Sequence, residues 1–123
     1  MSRILVVDDE PVVLQMLQRF LERNEFDVIT ATDGSIASER QRTTPSDLVI
    51  TDMVMPGTDG VQLIGIMAKE FPKTPVIAMS GAPESAQFLY LASYLGAERV
   101  LTKPFSPEAL ITAVEAIVGK PQK

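Results

Sequence analysis

Two stretches, Ile4-Leu5-Val6-Val7-Asp8-Asp9 and Leu48-Val49-Ile50-Thr51-Asp52, decide how this chain folds. Each begins as a short apolar run suited to a strand buried on both faces, and each stops on acid. A carboxylate where such a run ends marks the strand's carboxyl end, the edge at which open α/β sheets bind ligands. Three carboxylates gathered on one edge repel one another unless a cation or protons neutralise them. Hard oxygen donors in that number suit Mg²⁺ better than a soft metal. The first expectation is therefore a divalent-metal site built from Asp8, Asp9 and Asp52.

Working outward, apolar runs alternate with segments of helical period. Strands are read over 3–8, 26–31, 47–51, 75–79 and 98–102. Helices are read from Pro11 to about Asn24, from Asp33-Gly34 to near Arg42, from an N-cap at Thr58, over 84–95, and from Ser106-Pro107 to about Val118. Gly96 reads as the residue that closes the helix over 84–95. Five strands alternating with five helices call for a parallel sheet with right-handed crossovers and helices on both faces. The expected fold is a doubly wound α/β sheet in the flavodoxin-like order 2-1-3-4-5, which sets Asp8, Asp9 and Asp52 side by side. Residues 1–119 form one domain in this reading, and 120–123 form a short tail.

Composition narrows the chemistry. The 123 residues contain no histidine and no cysteine, which excludes histidine acid–base catalysis and thiol nucleophiles from this chain. A net charge of −5 without a dense basic block argues against nucleic-acid binding by these residues alone. The apolar run near the N-terminus is too short to span a membrane, so a cytoplasmic protein is expected. The same topology brings Ser80, at the end of the fourth strand, and Lys103, at the end of the fifth, to the acidic edge. Three carboxylates, a hydroxyl and an ammonium ion are poorly equipped to hydrolyse a carbonyl and well equipped to handle a phosphoryl group.

At this point four segments carry a resemblance: Val6-Val7-Asp8-Asp9-Glu10, Thr51-Asp52-Met53-Val54-Met55-Pro56-Gly57-Thr58-Asp59-Gly60, Met79-Ser80-Gly81-Ala82 and Leu101-Thr102-Lys103-Pro104-Phe105. Together they resemble the signature segments of two-component response regulator receiver domains, of chemotaxis-regulator type, over residues 3 to about 118. The resemblance implies that Asp52 accepts a phosphoryl group from a phosphohistidine on a histidine kinase or phosphotransfer protein. It implies Mg²⁺ held by Asp9 directly, by Asp8 largely through water, by Asp52 and by the main-chain carbonyl of Val54. It makes Ser80 the switch hydroxyl and Lys103 the contact to the phosphoryl group, with Lys103-Pro104 a cis bond, and it leaves room for the donor at Gly81. Catalysis would be limited to the chain's own phosphorylation and dephosphorylation.

One position departs from the pattern. Three residues before the lysine, where the family often has an aromatic, stands Val100, which cannot make the same inward swing. The segment over 84–95 is apolar or aromatic almost all round, so one face cannot bury it. Tyr90, Leu91 and Tyr94, with Val100, are therefore read as a partner surface on the face made by that helix, the fifth strand and the last helix. That face would meet a downstream protein, or a second copy on phosphorylation. Three alternatives stay open: a receiver module of a larger, DNA-binding or other multidomain regulator, a small Mg²⁺-dependent aspartyl-phosphate phosphatase, and an unphosphorylated scaffold.

Overall fold

The computed structural model describes residues 2–53, 60–81, 90, 94 and 96–119. Five parallel strands carry the fold: β1 (Arg3–Val7), β2 (Asp27–Ala31), β3 (Leu48–Asp52), β4 (Val76–Ser80) and β5 (Arg99–Thr102). They lie side by side in the order β2-β1-β3-β4-β5, as read from the sequence. Four helices are seen among the described residues: α1 (Pro11–Arg23), α2 (Gly34–Thr43), α3 (Gly60–Glu70) and α4 (Pro107–Val118). The fifth helix expected over 84–95 lies outside the described residues, except that Tyr90 and Tyr94 are helical. Among the described residues no helix is long and apolar enough to cross a membrane.

The alternation of side chains along each strand builds two cores. Ile4 and Val6 of β1 point to one face, where they join Ile50, Ile77 and Met79 beneath Leu14, Leu17 and Leu21 of α1 and Leu110 and Val114 of α4. Leu5 and Val7 point to the other face and join Val49 and Ala78 beneath Ala37 of α2 and Leu63, Ile64 and Met67 of α3. Every residue of β3 and β4 is buried, which is why these runs could be recognised by continuous apolarity rather than by alternation. β5 lies at the sheet's edge, and its residues are exposed but for a half-buried Leu101.

Helix ends follow local chemistry. Pro11 opens α1 at a position where a missing N–H costs nothing. Glu25, at φ +70, takes the left-handed turn after that helix, and the Phe26 amide bonds back to the Leu21 carbonyl at 3.1 Å. Ser106 caps α4 by accepting from the Ala109 amide at 3.0 Å, with Pro107 following, as the sequence predicts. Asp33, where the sequence places the start of this helix, caps α2 by accepting from the Ile36 amide at 2.9 Å.

Because Leu21 is wholly buried in the α1 core and distant in chain from the acidic edge, Leu21→Ala should cost about 3 kcal/mol in urea unfolding. Met16→Ala on the exposed side of the same helix should shift stability by about 0.5 kcal/mol at most.

Candidate functional site

The strands bring the site together by register. Val7 of β1 pairs with Thr51 of β3, Asp52 with Met79 of β4, and Ser80 with Thr102 of β5. Backbone bonds extend the order past the strand ends: the Asp8 amide donates to Ala31, the Met53 amide to Met79 and the Lys103 amide to Ser80, at 3.2, 2.9 and 2.9 Å. Asp8, Asp52, Ser80 and Lys103 thus occupy one rim, at four neighbouring strand ends. Asp8 is fully buried, Asp52 is 7% exposed and Ser80 1%.

The Lys103 ammonium sits between the two buried acids. Its Nζ donates to Oδ2 of Asp8 at 3.0 Å and to Oδ2 of Asp52 at 3.1 Å. A buried carboxylate without a cation or hydrogen-bond donors is costly, so this contact answers the charge problem that the sequence raised. Burial alone would lower the ammonium's pKa. The hydrogen bond to Asp8 and the negative charges of Asp52 and Asp8 outweigh burial and hold it above the ordinary 10.5. Gly81 makes this placement possible, since a Cβ there would meet the Lys103 Cβ at 3.0 Å. The Lys103-Pro104 peptide bond is cis.

A second group of acids flanks this contact. Carboxylate oxygens of Asp8, Asp9 and Glu10 lie within 4.8 Å of one another, a spacing that suits a single hard cation. Glu10 was given no role from sequence; its position directly after Asp8-Asp9 was the available signal. Its amide also donates to Asp8 Oδ1 at 3.0 Å, so each Asp8 oxygen accepts a hydrogen bond. Asp9 and Glu10 are exposed and face water.

Other expected positions fare differently. Val54, the expected carbonyl ligand, and Leu91 of the expected interface lie outside the described residues. Tyr90 and Tyr94 are 77% and 80% exposed, and Val100 is 39% exposed. An apolar pocket of about 360 Å³ lined by Val13, Met16, Leu17, Gly81, Lys103, Pro104 and Phe105 opens beside Lys103. No sequence signal marked it, because its walls come from segments far apart in the chain.

Removing the ammonium should take the counter-cation from Asp8 and Asp52. Lys103→Met should destabilise the metal-free protein by about 2–4 kcal/mol in chemical denaturation at neutral pH. The folded pKa of Lys103 is raised, so its contribution is fully present below the ordinary lysine value of 10.5. The gap between parent and variant should hold from about pH 6 to pH 9 and close only as pH rises through the raised pKa.

Comparison with known proteins agrees with this architecture. The family model described as response regulator receiver domain matches residues 4–115. The chain is 35% identical over 119 residues to the alkaline phosphatase synthesis transcriptional regulatory protein PhoP of Bacillus subtilis (strain 168), covering 97% of this chain and 49% of that one. It is 39% identical over 113 residues to response regulator GtcR of Aneurinibacillus migulanus, covering 92% and 46%. The chain therefore spans about half the length of these curated relatives. The receiver domain of the Francisella response regulator 1452 superposes with a TM-score of 0.87 at 32% identity, covering 95% of this chain and 96% of that one. With the fold, the acidic rim and the family match in agreement, the chain belongs to the response regulator receiver domains.

Proposed function

We propose that Asp52 is the phosphoacceptor of a two-component relay and that the rim is a phosphoryl-transfer site. The observation that carries this reading is the Lys103 ammonium held at 3.0 and 3.1 Å from Asp8 and Asp52 across adjacent strand ends. Asp52 lies at the end of β3 with Ser80 on the neighbouring strand, so a phosphoryl group on Asp52 would have a cation on one side and a hydroxyl on another. In the step, an Asp52 carboxylate oxygen attacks the phosphorus of a phosphohistidine on a partner. The new O–P bond forms as the N–P bond breaks, and the electron pair returns to the partner's imidazole nitrogen, which takes up a proton. Lys103 stabilises the charge on the transferred oxygens, and Ser80 donates a hydrogen bond to another of them.

The donor set fits Mg²⁺: hard oxygens converge at Asp8, Asp9 and Glu10, and the sequence offers no thiolate or imidazole to compete. When bound, the ion would neutralise charge on the phosphoryl oxygens, with Asp9, Asp8, Asp52 and the Val54 carbonyl as its protein ligands. As the family resemblance implies, Asp9 would ligate the ion directly and Asp8 largely through water.

The receiver reading extends over residues 1–119, with 120–123 a tail. Its activity is confined to its own phosphoryl group. A cytoplasmic setting with a histidine kinase or phosphotransfer protein as donor completes the proposal, and the absence of histidine here is consistent with a donor in another chain. Output passes to a downstream protein or a second copy through Tyr90, Leu91, Tyr94 and Val100. The exposure of Tyr90 and Tyr94 supports that choice. A transcriptional output, as the name of PhoP states for that protein, belongs to the same proposal.

Incubation with acetyl phosphate and Mg²⁺ should add one phosphoryl mass to the parent and none to Asp52→Asn, read by intact-protein mass spectrometry. Chelation should abolish the addition. Equal labelling of parent and variant would remove Asp52 from the role, and rapid multiple turnover of the donor would favour a phosphatase.

A further inference from the structure

The outer face of α1 carries apolar surface that the phosphoryl chemistry does not use. Val12, Met16 and Phe20 recur at every fourth residue and share one face of the helix. Val12 is 78% exposed and Met16 60%, although both are large and apolar. A lone exposed apolar side chain needs no explanation, but these two wall a cavity of about 550 Å³ between α1 and the start of α4. Its floor reaches the core: Leu17 and Leu110 line it, and both are buried. A cleft of this size and depth suits a small ligand. Met16, Leu17 and Phe105 also line the neighbouring cavity of about 360 Å³, so the apolar walls continue from one into the other.

Charge enters this cleft at the opposite end. Arg19 and Arg23 line it one helical turn apart, and both are exposed. Neither takes part in an ion pair among the described residues. Like charges at this spacing disfavour a helix. Arg23 gains from the negative end of α1, but Arg19 stands before the last turn and does not. In a chain of net charge −5, two uncompensated guanidiniums beside an apolar cleft call for an anion carried on an apolar body. Two turns of a helix about 10 Å across would fill about 850 Å³, more than the cleft holds, whereas an alkyl chain can reach the buried floor. We infer that this cleft binds a single-chain carboxylate amphiphile, a fatty acid of medium length. Its head accepts hydrogen bonds from Arg19 and Arg23, and its chain runs along Met16, Leu17 and Phe105. The inference is independent of the phosphoacceptor reading, since none of these residues belongs to the acidic rim.

The test is calorimetric titration of the chain with sodium decanoate, kept below its micelle concentration. Saturable binding at one site per chain is expected, and octanoate should bind more weakly by about three- to fourfold for each methylene it lacks. Arg19→Gln combined with Arg23→Gln should weaken decanoate binding about tenfold. Met16→Asp, which sets a carboxylate on the exposed wall, should weaken it by a similar factor. Arg40→Gln, the loss of an exposed charge on α2, should stay within about twofold of the parent. The unmodified chain supplies a measurement that needs no variant: the Met16 methyl signal in NMR should shift as decanoate is added. Absence of saturable binding overturns the inference, as does an unmoved Met16 signal or equal weakening by Arg40→Gln. Phosphatidylglycerol vesicles, an acidic amphipathic peptide and self-association at raised concentration are measured with the same variants. Any of these that needs Arg19 and Arg23 while decanoate does not bind would assign the cleft to that partner and overturn the fatty-acid reading.

Discussion

The interaction on which the rest of this structure depends is the Lys103 ammonium between Asp8 and Asp52. Two carboxylates this deeply buried repel each other and lose hydration, and neither penalty is met by the apolar strands that carry them. A single lysine, supplied from the far side of β4, answers both. The pair of contacts ties the ends of β1, β3 and β5 together across the rim by their side chains. A site that holds charge for chemistry is at the same time a charge problem for folding, and the lysine belongs to both accounts.

The sheet explains why all the chemistry lies on that rim. Its central strands bury both faces, so no polar side chain can work from the strand interiors without disrupting one core or the other. The strand ends are where polar groups keep rigid backbone support and gain access to water. Asp9 and Glu10 are exposed there while Asp8 beside them is not. That gradient runs from buried to wet within three residues, and in the proposed metal-binding reading it would let a cation enter from solvent beside the buried Asp8.

Much of this was legible in the chain because the signals are local. All five strands stand within a residue of the apolar runs that announced them, and Pro11 and Ser106-Pro107 mark helix starts by chemistry that acts within one turn. The strand order followed from alternating strand and helix periods together with chirality. What escaped the sequence is non-local or context-bound. The topology read from the sequence brought Lys103 to the acidic rim, but its direct contacts to Asp8 and Asp52, which lie 95 and 51 residues earlier, have no local signal. Gln41, whose buried side chain bonds both the amide and the carbonyl of Ser46, carries no local signal of that contact near the end of α2. Glu10 sat in plain view inside a quoted motif, but its role depends on where the backbone turns after β1. Val12 and Met16 continue the apolar character of α1 yet are exposed, because periodicity specifies a buried stripe more surely than its width.

The central claim is that this rim places a phosphoryl group on Asp52 and on no neighbouring acid or hydroxyl. Borohydride reduction of the phosphorylated protein converts an aspartyl phosphate to homoserine, and peptide mapping by mass spectrometry locates it. The account predicts homoserine at position 52, with Asp8, Asp9 and Ser80 unmodified. Homoserine at position 8 or 9, or a stable phosphate on Ser80, would contradict it.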